Sequence, residues 1–123
     1  MEKIILHFPF PNSILLPNRK SSWQSKMLAT RKARWDAYLL GVAQGGRKDE
    51  PLDNVTLEII WHPSSKKIPD YDSLLRATSP IINGGLINAG FLKDDSPKVI
   101  KKVILSIGDI SKEPYTEVII NAM

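Results

Sequence analysis

Two kinds of hydrophobic spacing follow one another along this chain, and their order restricts the fold more than any other feature. Apolar and polar residues alternate in the first two of four strand-like segments, a period typical of half-buried β-strands. The four segments are 4–8, 55–62, 98–109 and 115–120. Between them, apolar residues fall near helical spacing from about Ser22 to Gln44 and again from Leu74 to Ile82. The sequence therefore predicts the order β-α-β-α-β-β.

Prolines and glycines predict where these segments end. Prolines stop the first two strands, because proline cannot donate a hydrogen bond within a sheet. Pro80 limits the regularity of the second helix, which we expect to be short or kinked and to end at the sequence Asn-Gly-Gly. The last two strands are joined by a loop containing Gly108 and Pro114, so a terminal hairpin is expected.

The economical architecture for this order is a single mixed four-stranded sheet with two packed helices. The fold class is accordingly α+β (mixed α/β). A chain of 123 residues with 42% hydrophobic content supports one core, so residues 1–123 are expected to form a single domain.

Composition excludes several classes of function. The chain has no cysteine, which removes disulfides, zinc-thiolate sites and thiol nucleophiles together. No apolar run approaches the length needed to span a bilayer, and the first ten residues are too short for a signal peptide. We expect a cytoplasmic protein with no membrane partner.

The positive charges are clustered along the sequence. The formal net charge is +4, from 17 Lys and Arg against 13 Asp and Glu. The basic residues crowd three places: residues 19–34, the pair Lys66 and Lys67, and residues 98–102. Polyanion binding is one interpretation and a set of solvated faces is the other, since many non-binding domains are equally basic.

Two pairs of aspartates flank the second predicted helix. Asp70 and Asp72 precede it, while Asp94 and Asp95 precede the third strand. Each pair alone has a structural explanation, the first as a helix N-cap and the second as a polar turn. Together the four carboxylates are candidates for one metal site, because carboxylates held close repel one another unless a divalent cation or a basic side chain compensates.

The segments DYDSLLR and GFLKDDSPKV resemble the signature of the RusA family of Holliday-junction resolvases. That signature is Asp-x-Asp-Asn opening a helix, a lysine on the helix, and Gly-Phe followed by Asp-Asp before the next strand. The early strand with its Pro-x-Pro turn and the order of elements also agree. The resemblance implies Mg²⁺ bound by Asp70, Asp72 and Asp95, with Asp94 in a less defined role. Arg76 occupies the position of the catalytic lysine.

The resemblance implies a single RusA-like endonuclease domain over residues 1–123. It would act as a homodimer that cuts four-way DNA junctions by paired symmetric nicks, in recombination and repair. Two departures from the motif, Ser73 for asparagine and Arg76 for lysine, keep a non-catalytic DNA-binding relative as an alternative. A Mg²⁺-dependent nuclease acting on flaps, forks or RNA is the other alternative.

Further surfaces are predicted to serve DNA binding and dimer formation. The DNA backbone is expected to contact Lys66, Lys67, Arg31 and Lys32. The first helix carries more apolar surface than one face needs, so part of it lies either in the core or at a subunit interface. The residues concerned are Trp23, Trp35, Tyr38 and Leu39.

Overall fold

Four strands form one mixed sheet in the computed structural model, which describes residues 2–16, 22–46 and 49–123. The strands are β1 (Lys3–Pro9), β2 (Val55–His62), β3 (Ile100–Ile107) and β4 (Tyr115–Ala122). Their order is β1-β4-β2-β3. β4 runs antiparallel to both β1 and β2, and β3 runs parallel to β2. The mixed sheet and the α+β class are confirmed.

Arg19 and Lys20 of the predicted basic cluster lie outside the described residues.

The predicted terminal hairpin is wrong, because β2 lies between β3 and β4. The burial of the strands gives the physical reason, because β2 is more buried than β1 and takes a central position, which separates β3 from β4. Val118, Ile119 and Ile120 of β4 are all buried, as expected for a central strand. β3 instead carries exposed Lys101 and Lys102, and charged side chains protect an edge strand from pairing with another chain. The loop after β3 therefore crosses the sheet instead of making a tight turn.

The first helix, α1 (Trp23–Ala43), agrees with the predicted range. Ser22 caps its start, since the hydroxyl oxygen accepts a hydrogen bond from the backbone N–H of Ser25 at 3.1 Å. A 3-10 turn (Ser13–Leu15) lies between β1 and this helix in the sequence. The buried side of α1 consists of the small residues Ala37 and Gly41, which allow another helix to approach closely.

The second helix does not end at Asn-Gly-Gly, which corrects the prediction. α2 (Tyr71–Pro80) continues directly into a π-helical segment (Ile81–Asn88) that contains both glycines. Pro80 has no N–H to donate within the helix, and the wider π-helical turns follow at once. Gly84 lies against α1, where a Cβ atom would overlap the backbone carbonyl oxygen of Arg34. The glycines therefore serve close helix packing.

α1 and the continuous helix formed by α2 and the π-helical segment cover one face of the sheet. The alternate residues Val55, Leu57, Ile59 and Trp61 of β2 are buried against them. The Trp61 indole N–H donates to the Thr78 hydroxyl at 2.9 Å, and that hydroxyl donates to the Leu74 carbonyl at 2.6 Å. These buried bonds fix α2 on the sheet, and with it the start of the helix. Within the described residues, no helix combines the length and apolar character needed to cross a membrane.

Candidate active site

Asp70 forms the N-cap of α2. Its backbone is extended, with φ −69° and ψ 164°, and its carboxylate accepts the Ser73 N–H at 2.8 Å. Hydrogen bonding by Ser73, through its side chain first and its backbone N–H second, lowers the pKa of Asp70 below the ordinary value of 3.8. The Arg76 guanidinium contributes less in the same direction. The structural explanation of Asp70 as a cap is confirmed, and the carboxylate stays ionised to low pH.

Asp72 and Arg76 face each other one helical turn apart. The Arg76 Nη2 atom lies 3.4 Å from the Asp72 Oδ2 atom, as the spacing of four residues predicts. Both side chains are well exposed, at 73% for Asp72 and 65% for Arg76. An exposed ion pair of this kind stabilises a fold little. Both groups therefore remain accessible to a ligand.

Asp94 and Asp95 lie in the connection that leads to β3, and both are exposed. The Asp94 carboxylate accepts the backbone N–H of Asp95 at 2.7 Å, a local hydrogen bond typical of a polar turn. Asp95 lines a groove between β3 and α2, together with Leu75 and Ser79. Because Asp72 precedes Leu75 by three residues, it belongs to the same side of α2 that borders this groove.

The three aspartates do not form a complete metal cluster. Among residues 2–16, 22–46 and 49–123, no three His, Asp or Glu side chains are grouped to hold a metal ion. The assignment of Asp70, Asp72 and Asp95 as ligands stays a prediction. Their chemistry fits Mg²⁺, which prefers oxygen ligands and is commonly held by one or two carboxylates, several waters and substrate phosphates.

The predicted DNA-binding residues fall on two different elements. Lys66 and Lys67 are exposed in the segment that leads directly to Asp70. Arg31 and Lys32 are exposed on α1, where the Lys32 Nζ atom pairs with the Asp36 carboxylate at 2.7 Å. Lys32 is thus partly neutralised by its neighbour. Lys66 and Lys67 are the closest of the four to Asp70 along the chain.

A cluster of His62, Tyr115 and Glu117 lies on the face of the sheet opposite the helices. His62 is half-buried, its ring stacks on Tyr115 at 4.3 Å, and its Nε2 atom lies 3.1 Å from a Glu117 oxygen. The residues Trp61 and His62 alternate between the two faces, so His62 points away from α2. His62 therefore does not join the aspartates.

Sequence reasoning missed the way aromatic and basic residues combine on α1. Trp35 stacks on Tyr38 with ring centroids 5.5 Å apart, and Arg31 and Arg34 line the same shallow groove. The signal was present in the spacing, because residues 34, 35 and 38 follow residue 31 by three, four and seven positions and therefore share a helical face.

Comparison with known proteins adds no identification. No protein-family model matches the sequence, and a search of curated proteins returns no match. The resemblance to the RusA family therefore rests on the motifs alone.

Two substitutions at Asp70 test its role as the helix cap. Asparagine caps helices about as well as aspartate, so Asp70→Asn should leave the melting temperature nearly unchanged at pH 7. Asp70→Ala should lower it, because the Ser73 N–H loses its acceptor. Thermal melts monitored by circular dichroism check both.

The melting temperature should also depend on pH through this carboxylate. Because the folded-state pKa of Asp70 lies below 3.8, its contribution is fully present above that value and is lost as the pH falls through the folded-state pKa. The gap between wild type and Asp70→Ala should therefore close in strong acid. A constant gap from pH 7 to pH 2 would contradict the assignment.

Proposed function

We propose that this protein is a Mg²⁺-dependent, structure-specific endodeoxyribonuclease that resolves four-way DNA junctions, as its resemblance to the RusA family implies. The observation that carries the proposal is the arrangement at the start of α2. Asp70 caps the helix, Asp72 stands on its first turn, Arg76 follows one turn later, and Asp95 lines the groove beside the same helix. Such a substrate is consistent with a cytoplasmic location.

Exposed carboxylates suit a metal that is shared with the substrate. Asp72 and Asp95 would hold Mg²⁺ with help from Asp70, and a phosphate of the DNA would supply further oxygens. Bound there, Mg²⁺ would supply charge neutralisation at the scissile phosphate and orientation of the attacking water. Hydrolysis would leave 5′-phosphate and 3′-hydroxyl ends, as the family resemblance implies.

In this proposal Arg76 stabilises negative charge on the phosphate. An arginine offers a planar pair of N–H donors in a fixed geometry, so it favours a bidentate phosphate contact over proton transfer. Its partner Asp72 holds the guanidinium at the start of the helix before DNA binds. In this proposal Arg76 replaces the charge of the family's lysine.

A homodimer is part of the proposal. A four-way junction has two-fold symmetry and needs cuts on two opposing strands, so two related active sites fit it. Exposed apolar side chains on α1 provide surface for such contact; Leu28 is 61% exposed and Leu39 is 49% exposed.

The deciding experiment is cleavage of end-labelled DNA of defined shape. Purified protein is incubated with a four-way junction, a flap, a linear duplex and a stem-loop RNA, each with Mg²⁺ or with EDTA. Symmetric, Mg²⁺-dependent nicks confined to the junction support the proposal. A junction that is retarded in a gel but never cut would instead identify a DNA-binding relative without turnover, and cuts in flaps or RNA would identify another nuclease.

Arg76→Lys is expected to keep or raise junction cleavage, because lysine restores the residue of the family motif. Arg76→Ala should lower the single-turnover rate roughly 10²- to 10³-fold, since it removes a donor aimed at developing charge. Single-turnover rates with excess protein check both variants. Equal rates for arginine, lysine and alanine would make Arg76 a surface residue without a part in cleavage.

Replacing Lys66 and Lys67 with alanine should weaken junction binding and flatten its salt dependence. Two lost phosphate contacts reduce the slope of log K against log salt by about 1.8. Binding isotherms at four salt concentrations in EDTA measure this slope. The double variant Lys3→Ala and Lys112→Ala, at two exposed lysines outside the basic clusters, is the matched control. An unchanged slope for the Lys66 and Lys67 variant would place the DNA elsewhere.

A further inference from the structure

One side of α1 combines exposed aromatic rings with cationic side chains. Two shallow grooves run along it and share Arg31 and Arg34; Trp23 lines one groove, while Trp35 and Tyr38 line the other. We define this surface, termed the aromatic–basic groove, by Trp23, Lys26, Arg31, Arg34, Trp35 and Tyr38. Consecutive positions differ by one, three or five residues, and all six lie on one side of the helix.

Both tryptophans of the groove are unusually open. Trp23 is 71% exposed and Trp35 is 60% exposed, whereas Trp61 in the core is fully buried. Trp35 keeps this exposure while its ring is stacked on Tyr38, at an interplanar angle of 26°. The stacking orients the indole and leaves most of it accessible. A flat ligand can therefore stack there without reordering the side chain.

The charge of the groove selects an anionic ligand. Its lining includes one lysine and two arginines and contains no acidic residue. Neither Arg31 nor Arg34 forms an ion pair with an acid in the described part of the chain. An apolar partner would leave these three cations without counter-charges. A polyanion that also presents flat rings would satisfy both halves of the surface.

We infer that the aromatic–basic groove binds single-stranded DNA, with bases stacked on Trp35 and Trp23 and phosphates held by Arg31 and Arg34. Duplex DNA fits less well, because its base faces are covered by neighbouring base pairs. The choice of DNA over other single-stranded polyanions rests on the proposed function, in which bases leave the stack at the branch point of a junction.

The length of the groove sets the size of the ligand. From Trp23 to Tyr38 the helix rises about 22 Å, at about 1.5 Å per residue. This distance matches about six stacked nucleotides at about 3.4 Å each. Oligonucleotides shorter than about six residues should therefore bind progressively more weakly.

The test is titration of the full chain with a 20-nucleotide deoxythymidine oligomer in EDTA, followed by tryptophan fluorescence and by anisotropy of a labelled oligomer. Stacking should quench the exposed tryptophans. Trp35→Ala should weaken binding roughly 5- to 100-fold, while Trp35→Phe retains most of it. Arg31→Ala with Arg34→Ala should reduce the salt slope by about 1.4. Ile110→Ala, which changes an exposed apolar residue in the loop after β3 that no proposed site includes, is the matched control and should bind as wild type.

Three results would overturn the inference. Unchanged affinity of Trp35→Ala would exclude stacking, and equal affinity for a duplex of the same length would leave only backbone contacts. A Trp35→Ala protein that binds the oligomer normally but loses a subunit in light scattering would show that a second copy covers this face. This test measures binding and no cleavage, so its failure is distinguishable from failure of the proposed function. A protein that binds the oligomer but never cuts a junction would support this inference and contradict the proposed nuclease. A protein that cuts junctions but does not bind the oligomer would do the opposite.

Discussion

Replacing Asp72 with asparagine is expected to lower Mg²⁺-dependent junction cleavage at least about 10³-fold while leaving junction binding nearly unchanged. The substitution keeps the shape of the side chain and removes the charge that a divalent cation requires. A loss of this size is what removal of a metal ligand predicts. Binding should persist because the basic residues proposed to contact DNA are untouched. Single-turnover cleavage and a gel-shift titration in EDTA measure the two quantities separately.

Asp53→Asn is the matched control for this experiment. Asp53 is also an exposed aspartate in a weak ion pair, with its carboxylate 3.9 Å from the Lys93 Nζ atom. It is not one of the predicted metal ligands, so cleavage should stay at the wild-type rate. Neither variant should change the melting temperature much, because exposed ion pairs stabilise little. An Asp72→Asn protein that cuts as fast as wild type would refute the proposed ligand.

The strands and the first helix were predictable because their hydrophobic spacing is regular. Alternation in β2 from Val55 to Trp61 matches the buried face that the helices cover. The helix from Ser22 to Gln44 was predicted within one residue at each end, since a serine cap and a glycine pair mark its limits. Local sequence contains this information in full.

The pairing of the last strands was not predictable from local signals. A loop containing Gly108 and Pro114 is compatible with a hairpin, but β2 is more buried than β1 and takes the central place between β3 and β4. That difference depends on how distant strands pack in the same sheet. Strand order is a property of the whole sheet, which explains the error.

The candidate site was predictable in its parts and not in its assembly. The Asp70 cap and the Asp72–Arg76 pair follow from spacing along one helix, and both are present. The position of Asp95 depends on how the connection before β3 runs beside α2. Sequence fixes no such long-range distance, and the described residues hold no complete group of three ligands.

Gly84→Ala is expected to destabilise the protein by about 3 kcal/mol, although alanine normally favours a helix over glycine by about 1 kcal/mol. The added methyl group would overlap the Arg34 carbonyl oxygen, which belongs to the backbone of α1 and cannot rotate away. Either α1 or the π-helical segment must move, and both pack on the core. The melting temperature should fall by roughly 10 °C, as thermal or urea unfolding would show.

Whether Gly84→Ala lowers or raises the free energy of unfolding distinguishes close packing from helix propensity, because helix propensity alone predicts stabilisation. Asn88→Ala tests the same π-helical segment at an exposed position and should be neutral or slightly stabilising. Gly41→Ala probes the reciprocal contact, since its Cβ atom would lie 2.5 Å from the Gly85 carbonyl oxygen, and it should destabilise as well. A Gly84→Ala protein as stable as wild type would mean that α1 and the π-helical segment do not pack backbone to backbone. Loss of stability in both glycine variants, with none in Asn88→Ala, would establish that close packing places these glycines inside a helix.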